Sequence, residues 1–586
     1  MRKIAAPVAM AAAGFLFIGG GVAVADIADP FGANRLTGDK TTQVIAEAKE
    51  GPAKNVILLI GDGMGDQEIT QARNYEVGAG GTLPGIDALP LTGQMTTYSV
   101  TAEGDADYVP DSAATGTGWA TGQKTYDNAV SVDHQGNPLK SILKYAKDKG
   151  LKTGNVTTSE VQDATPAVLA ASVKQRACYS PSRVEQCGDD ALDKGGAGSI
   201  SEQHISTRAD LTMGGGAEYF DDEILAGEYE GQTVLESAEA EGFNVINTAD
   251  ELEALTVADQ EAPVLGLFEP KNMVREWAET VAPVGGYYAD DAVTCQPNPE
   301  VPSTSPDLAA MTSKSLELLE NDKGFFLQVE GASIDKADHA RDACGQIGET
   351  IAFDKAVQEA LAFAEADGET LVIVTADHSH NAQLTEGPDD NVPSIRLLTN
   401  EGSEMGIVYP SGGHSGTQIR VAAYGPGAAN VTGLIDQTDL FGIMSRGLQL
   451  DTDAPDDEPT TAPTESPSSE PSETPTGEPT ESPSGDPTET PSGDPTETPS
   501  GEPTETPTGE PSGTPGGEPT GSPSTDGDGA GGGTDGGSGA DTDPAPNAPR
   551  GGLAETGGPA AIAAIAAGIA LLGGSAALWK QRRSGH

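Results

Sequence analysis

The sequence contains little positive charge. Its 586 residues include 32 Lys and Arg against 91 Asp and Glu, so the formal net charge is −59. Part of this acidity lies towards the C-terminus, where residues 451–549 contain no Lys or Arg. An acidic chain of this kind is expected to be soluble and to lack the basic surface that nucleic-acid binding requires. The composition therefore argues against a nucleic-acid-binding protein.

Cysteine is also scarce, and the sequence has no C-x-x-C pair that would suggest a zinc knuckle. In an exported chain, an even number of cysteines indicates two disulfides, with three ways of pairing them. Free buried thiols are the alternative. The four cysteines are Cys178, Cys187, Cys295 and Cys344.

The N-terminal 25 residues have the composition of a targeting segment. They begin with MRK, continue as an apolar run and end in AVA. A basic start, an apolar core and a small-residue cleavage site are typical of a secretory signal peptide. We therefore expect residues 1–25 to be removed on export, with an uncleaved membrane anchor as the alternative.

Residues 553–586 contain a second targeting pattern, the pentapeptide LAETG followed by an apolar run and a basic tail. About 20 apolar residues can cross a bilayer, so this segment could be a C-terminal membrane anchor. The pattern also resembles a sortase cell-wall sorting signal. That resemblance implies cleavage after Thr556 and attachment to peptidoglycan in a Gram-positive bacterium, with an actinobacterium as the expected host. Ala554 departs from the commoner LPxTG pattern.

Residues 451–552 have the composition of a stalk. Units such as PTETPSGD recur there with a period of eight, and apolar residues are few. Such a segment cannot bury a core, and its prolines favour an extended polyproline II conformation. We expect a disordered acidic stalk between the folded domain, residues 26–450, and the C-terminal signal.

Three apolar runs in the folded domain predict strands that are buried on both faces. Each run ends close to an acid: residues 55–60 before Asp62, 324–329 before Glu330, and 370–375 before Asp377. Helical spacing of apolar residues follows at 138–148 and 351–366. The alternation predicts an α/β three-layer sandwich with a mainly parallel central β-sheet flanked by helices. Because ligands bind at the carboxyl ends of such strands, the acids predict a site there.

Ser112 is the candidate nucleophile, in the segment PDSAATGTGWATG. No G-x-S-x-G elbow surrounds it, so its hydroxyl needs another base or a metal for activation. Asp111 can cap a helix that begins at Ser112, and the free N–H groups of a helix start favour a negatively charged substrate.

Acids and histidines that could bind metal ions are concentrated in other segments. Two of them, Asp335 and His339, lie four apart and would share one face of a helix. Mixed carboxylate and imidazole ligands suit zinc, and an all-oxygen set suits magnesium. An isolated His is more often a core or surface residue, which is our interpretation of His134 and His204. The candidate ligands are Asp62, Glu330, Asp335, His339, Asp377, His378 and His414.

Nine segments across residues 55–449 together resemble bacterial alkaline phosphatases of the enterobacterial periplasmic type. They follow the family's order and include NVILLIGDGMGD, PDSAATGTGWATG, FFLQVEGASIDKADHA, LVIVTADHSH and GGHSGTQIRVAAYGPGA. The resemblance implies an alkaline phosphatase fold and a homodimer. It also implies hydrolysis of phosphate monoesters to an alcohol and inorganic phosphate, through a phosphoserine intermediate.

The resemblance further implies two zinc ions and one magnesium ion per subunit. The first zinc would be bound by Asp335, His339 and His414, the second by Asp62, Asp377 and His378, and the magnesium by Asp62, Thr165 and Glu330. Ser112 would be the nucleophile and Arg176 the phosphate clamp, with Asp163 and Lys336 holding water around the phosphate and the magnesium. His380 would orient a metal-bound carboxylate, Asp111 would support the nucleophile, and the disulfides would be Cys178–Cys187 and Cys295–Cys344.

Two other classes of function are compatible with parts of this sequence. A surface adhesin or metal-binding module could keep the fold without the chemistry, but such a module needs no nucleophile. A related metallohydrolase could act on phosphodiesters or sulfate esters. Diesterases usually use Thr as the nucleophile and lack the arginine clamp, and the C/S-x-P-x-R motif of sulfatases is absent around Ser112.

Overall fold

The structure is a computed structural model that describes residues 38–452. The predicted signal peptide, the sorting signal and all but the first two residues of the predicted stalk lie outside this range. Within residues 38–452, no helix combines the length and the apolar character needed to cross a membrane.

The strands account for a large central sheet and two small ones. In chain order they are β1 (Asn55–Gly61), β2 (Leu91–Thr96), β3 (Ser99–Val100), β4 (Ala106–Asp107), β5 (Lys152–Glu160), β6 (Leu211–Gly215), β7 (Asn244–Ile246), β8 (Val264–Leu267), β9 (Phe325–Gly331), β10 (Thr370–Ala376), β11 (Gln383–Leu384), β12 (Ser394–Leu398), β13 (Glu404–Val408), β14 (Ile419–Tyr424) and β15 (Gly433–Asp436).

The central sheet has ten strands in the order β15-β2-β14-β10-β1-β9-β5-β6-β8-β7. Its strands pair in parallel except at β14, which is antiparallel to both β10 and β2. A separate three-stranded sheet, β11-β13-β12, is antiparallel. The prediction of a mainly parallel sheet is therefore confirmed, with one reversed strand near an edge.

The three predicted strands are neighbours at the centre of this sheet. β1 pairs with β10 on one side and with β9 on the other, and all three are buried along their whole length. In this register Gly61 lies opposite Ala376, and Ile60 lies opposite Glu330. The acids that follow or end these strands therefore meet at one edge of the sheet.

Helices flank the sheet in two groups, one around the helix at Ala343–Asp367 and one around the helices at Ser112–Thr121 and Ala164–Ala170. In chain order they are α1 (Thr41–Glu47), α2 (Asp66–Val77), α3 (Ser112–Thr121), α4 (Ile142–Asp148), α5 (Ala164–Ala170), α6 (Val184–Cys187), α7 (Ile200–Thr207), α8 (Val234–Ala240), α9 (Ala249–Ala254), α10 (Leu308–Leu319), α11 (Ser333–Ala340), α12 (Ala343–Asp367) and α13 (Asp439–Gly447).

Both predicted helices exist, but their starts differ from the prediction. The helix predicted at 138–148 corresponds to α4, which begins only at Ile142. Ser141 caps this helix, because its side chain accepts a hydrogen bond from the Lys144 backbone. The helix predicted at 351–366 is the second half of α12. Its true start is fixed by Asp342, which caps the helix through the Gly345 backbone.

All four cysteines are paired. Cys178 bonds to Cys187, and Cys295 bonds to Cys344, as the resemblance implied. The first disulfide closes a short loop next to Arg176, whereas the second joins the segment before α10 to the first turn of α12. Cys344 thereby anchors the start of the helix that packs against α11 and its predicted ligands.

Candidate active site

The nucleophile segment has the geometry that the sequence predicted. Ser112 is the first residue of α3, and the Asp111 side chain accepts a hydrogen bond from the Ala114 backbone at 3.0 Å. Trp119, buried on the same helix, donates from its indole N–H to Gln328 Oε1 of β9 at 3.0 Å. This contact holds the helix against the central strands, so the position of Ser112 is set by the core rather than by a surface loop.

The first metal-binding group is built around Asp335. His339 Nε2 lies 3.4 Å from its Oδ2, and His414 Nε2 lies 3.4 Å from its Oδ1. The two Nε2 atoms are 3.1 Å apart. Each ring is oriented from behind, since His339 Nδ1 lies 2.7 Å from the Gly412 carbonyl and His414 Nδ1 lies 2.8 Å from the Pro110 carbonyl. An N–H on Nδ1 leaves the Nε2 lone pair free for a metal ion.

His380 belongs to the same group. Its Nε2 lies 3.2 Å from Asp335 Oδ1, and ligand atoms of Asp335, His339, His380 and His414 all lie within 4.8 Å of one another. The ring is fully buried. His380 therefore contacts the carboxylate that it was predicted to orient, and it lies beside the other imidazoles of the group. Its orienting role stays a prediction.

The second metal-binding group consists of Asp62, Asp377 and His378, whose ligand atoms also lie within 4.8 Å of one another. Asp377 Oδ1 accepts hydrogen bonds from the backbones of Gly63 and His378, at 2.9 and 2.8 Å. Its buried Oδ2 accepts none from residues 38–452, although His378 Nε2 is 3.1 Å away. The His378 ring stacks on His414 at 3.6 Å between centroids, so the two groups are adjacent.

The electrostatics of these groups favour bound cations. Burial, reinforced by Asp377, raises the pKa of Asp62 well above its usual range, and burial raises the pKa of Asp377 to about 6. Burial also lowers the pKa of His378 well below its usual range. Burial acts to lower the pKa of His414 as well, but Asp335 outweighs it and raises the pKa to about 9, so a metal ion would displace a proton there. Carboxylates and imidazoles are a donor set that divalent metal ions accept, and a cation would offset the repulsion between Asp62 and Asp377. The residues present therefore fit metal ions.

Ser112 lies against the second group. Its Oγ is 3.3 Å from His378 Nε2 and 3.5 Å from Asp62 Oδ1. A hydroxyl in this position is next to any cation that Asp62 and His378 would bind, which is one established way of activating a weak nucleophile.

Glu330 lies at the end of β9, in an oxygen-rich part of the site. Its Oε2 accepts hydrogen bonds from the hydroxyl groups of Thr157 and Ser159. Burial raises the pKa of Glu330 to about 7. The buried Thr165 hydroxyl makes no hydrogen bond of good geometry with residues 38–452, so its oxygen is available to a hard cation such as magnesium. Sequence reasoning missed Thr157 and Ser159, which alternate on β5.

Asp163 connects two positively charged side chains of the site, Arg176 and Lys336. Its Oδ1 accepts from Arg176 Nη2 at 2.6 Å, and its Oδ2 accepts from Lys336 Nζ at 2.6 Å. Burial acts to raise the pKa of Asp163, but Lys336 and Arg176 outweigh it and hold the pKa well below the usual range. Arg176 Nη1 also donates to Asp111 Oδ2 at 3.1 Å, and the Tyr179 hydroxyl donates to Asp163 Oδ1 at 3.2 Å. Sequence reasoning also missed this contact of Tyr179 with Asp163.

The arrangement suits phosphoryl transfer. A guanidinium group is a planar fork that matches two phosphate oxygens, and Arg176 is held by carboxylates on both sides. Two metal ions bound by these adjacent groups would stabilise the attacking and the leaving oxygens of a displacement at phosphorus. The structure thus brings together the residues that the sequence predicted as nucleophile, phosphate clamp and metal ligands.

Comparisons with known proteins agree with this chemistry. The family model described as alkaline phosphatase matches residues 53–410. An alkaline phosphatase of Escherichia fergusonii is 54% identical over 435 residues, which cover 72% of this chain and 92% of that protein. Alkaline phosphatase H of Pseudomonas aeruginosa is 53% identical over 429 residues, 72% of this chain and 90% of that protein.

Solved structures show the same relationship. The alkaline phosphatase from the Antarctic bacterium TAB5 is 27% identical, with a TM-score of 0.51, and the match covers 69% of this chain and 100% of that chain. The predicted fold class is thereby confirmed. The chain belongs to the alkaline phosphatase family of metal-dependent enzymes, and it is an alkaline phosphatase that hydrolyses phosphate monoesters.

Proposed function

We propose that the chain is an exported, surface-attached enzyme that hydrolyses phosphate monoesters through a phosphoserine on Ser112, at a site for two zinc ions and one magnesium ion. The observation that supports it most is the position of the Ser112 hydroxyl, 3.3 Å from His378 and 3.5 Å from Asp62 at the start of α3. Broad specificity for the alcohol is expected, because the named contacts all concern the phosphoryl group.

Each metal ion has a proposed set of ligands. When bound, the ions would supply Lewis acidity that lowers the pKa of the nucleophile and neutralises charge on the leaving oxygen. His380 would orient Asp335. The ligands are Asp335, His339 and His414 for the first zinc, Asp62, Asp377 and His378 for the second, and Asp62, Thr165 and Glu330 for magnesium.

The residues of the chain divide the reaction into two displacements. Ser112 Oγ loses its proton to solvent and attacks phosphorus, the bond from phosphorus to the ester oxygen breaks, and the alcohol leaves after that oxygen takes a proton from water. A water molecule then attacks the phosphoserine and loses a proton, the bond between phosphorus and Ser112 Oγ breaks, and Oγ takes up a proton as phosphate leaves. Arg176 would bind two phosphoryl oxygens through the N–H groups that Asp111 and Asp163 do not use. Lys336 would hold water near the phosphoryl group while it balances Asp163.

Hydrolysis of a chromogenic phosphate monoester, beside the matching diester and sulfate ester, tests this mechanism. We expect monoester turnover that chelation abolishes and zinc with magnesium restores, and a phosphoprotein that Ser112→Ala does not form. Turnover that resists chelation, or a Ser112→Ala variant with full activity, would contradict the mechanism. Bound zinc without any turnover would favour a metal-binding module.

Surface attachment rests on the two ends of the sequence. The signal peptide would direct export, and sortase would join Thr556 to peptidoglycan, with a C-terminal membrane anchor as the alternative. The two disulfides are compatible with an oxidising location. Digestion of the wall with a muramidase should release wild-type protein but not a variant with Thr556→Ala; release of both by detergent alone would indicate the membrane anchor. Light scattering of the purified protein would test the proposed homodimer.

A further inference from the structure

Asp127 lies directly behind the nucleophile segment and has no role in the proposed mechanism. Its Oδ1 accepts hydrogen bonds from Ser99 Oγ at 2.9 Å and from the backbone N–H of Asp111 at 3.3 Å. Asp111 caps α3 and precedes Ser112. The half-buried Asp127 carboxylate therefore holds the backbone of the residue that comes immediately before the nucleophile.

The next residue, Asn128, contacts the phosphate clamp. Its carbonyl accepts a hydrogen bond from the backbone N–H of Arg176 at 2.7 Å. Asn128 has a φ of 73°, a left-handed conformation that Asn tolerates better than most residues. The following residues are fixed by Val130 and Val173, which exchange two backbone hydrogen bonds of 3.0 Å. The turn at residues 127–128 is thus a defined structure that reaches both Asp111 and Arg176.

These contacts close a ring of interactions. Asp127 binds the Asp111 backbone, Asn128 binds the Arg176 backbone, and the side chains of Asp111 and Arg176 meet at 3.1 Å. Burial, then the nearby charges of Asp111 and Asp107, raise the pKa of Asp127 to about 6. The carboxylate is therefore ionised in an alkaline assay, and a charged acceptor makes the stronger hydrogen bond.

We propose that Asp127 is a positioning residue for phosphate binding. Its carboxylate fixes the backbone of Asp111. The Asp111 side chain is thereby held in contact with Arg176, and this contact orients the guanidinium towards a phosphoryl group beside Ser112. This inference rests on the proposed role of Arg176 as the phosphate clamp. Asp127 itself touches neither the substrate nor the reacting atoms.

The test compares Asp127→Ala with Asp127→Asn in metal-loaded full-length protein at about pH 8, well above the pKa of a carboxyl group. Asp127→Ala should raise KM and the inhibition constant of inorganic phosphate about five- to tenfold and should change kcat less. This is less than the full loss of a charged hydrogen bond, because Asp127 acts on phosphate only through Arg176. Asp127→Asn should recover most of the affinity, because its amide oxygen can accept both bonds.

Asp133→Ala is the matched control. Asp133 Oδ1 also accepts two backbone hydrogen bonds, from Gln135 at 2.8 Å and Asn137 at 2.9 Å, but in an exposed turn. This variant should keep wild-type KM. In an Arg176→Ala background, Asp127→Ala should not weaken phosphate binding further, because its effect passes through Arg176.

Two results would overturn the proposal. One is a KM of Asp127→Ala within twofold of wild type with normal zinc content. The other is an equal loss of phosphate affinity with and without Arg176. If Asp127→Ala does not fold, Asp127→Ser, whose side chain is too short to reach Asp111, has the same expectation. If the wild-type protein shows no turnover, the proposed function fails. Calorimetry of phosphate binding would still test the positioning role of Asp127, because equal phosphate affinities of wild type and Asp127→Ala would refute it.

Discussion

Replacing Arg176 by Ala should lower kcat/KM for a phosphate monoester by about 10² to 10⁴. Two of the five N–H groups of the guanidinium donate to Asp111 and Asp163, which leaves three for the substrate. Two charge-assisted hydrogen bonds to phosphoryl oxygens contribute about 1.5–3 kcal/mol each, and about 1.4 kcal/mol corresponds to a factor of ten. The loss should lie towards the upper end, because Asp111 and Asp163 would then face the phosphate with less positive charge beside them.

Steady-state kinetics, with inorganic phosphate as inhibitor, would measure this loss. Arg176→Lys should fall between wild type and Arg176→Ala, because it keeps the charge but not the planar fork. Lys174→Ala is the control, since Lys174 is exposed and its ammonium lies 3.9 Å from Asp190. A kcat/KM of Arg176→Ala within threefold of wild type would refute the assignment of Arg176 as the clamp.

Three further predictions concern the nucleophile, a disulfide and a buried histidine. Ser112→Ala should abolish labelling of the protein by radioactive phosphate and reduce turnover at least about 10³-fold, and retained labelling would contradict the phosphoserine. Replacing Cys295 and Cys344 by Ser should lower the free energy of unfolding by about 4 kcal/mol, because the disulfide closes a loop of 49 residues. Denaturant titration should show a smaller loss when the Cys178–Cys187 disulfide, which spans nine residues, is removed. Equal losses would contradict the loop-entropy argument. Burial lowers the pKa of His204 to about 4, whereas in the unfolded chain the pKa of this histidine is about 6.5. Between these two pH values the unfolded state binds the additional proton. The free energy of unfolding should therefore fall by up to about 3 kcal/mol as the pH drops from 6.5 to 4. His204→Gln should remove that part of the pH dependence, and unchanged pH profiles would refute it.

The centre of the fold could be predicted from the sequence because its strands are buried on both faces. β1, β9 and β10 are continuous apolar runs for that reason, and the acids at their ends were visible at once. The edge strands were not predictable in the same way. β2 alternates irregularly between buried and exposed residues, and β15 has no buried residue, so neither shows a clear period.

The site could be predicted only where its residues lie in recognisable motifs. Thr157 escaped notice because its partner Glu330 is 173 residues away, and nothing in the local sequence connects a threonine on one strand with the end of another. Tyr179 and Asp127 escaped for a related reason: each acts through a hydrogen bond to another residue of the site, and such a bond depends on the folded backbone. Residues with their own chemistry are therefore easier to predict than those that hold them in place.

An acidic protein that binds an anionic substrate must reverse its charge locally, and the site shows how this is arranged. Arg176 and Lys336 lie among its acids, and both of these cations are paired with Asp163. These two cations alone cannot attract a phosphate against so many carboxylates. Divalent ions would therefore be needed for substrate binding as well as for chemistry, because only they can make the centre of the site positive. The acids are Asp62, Asp111, Asp163, Glu330, Asp335 and Asp377.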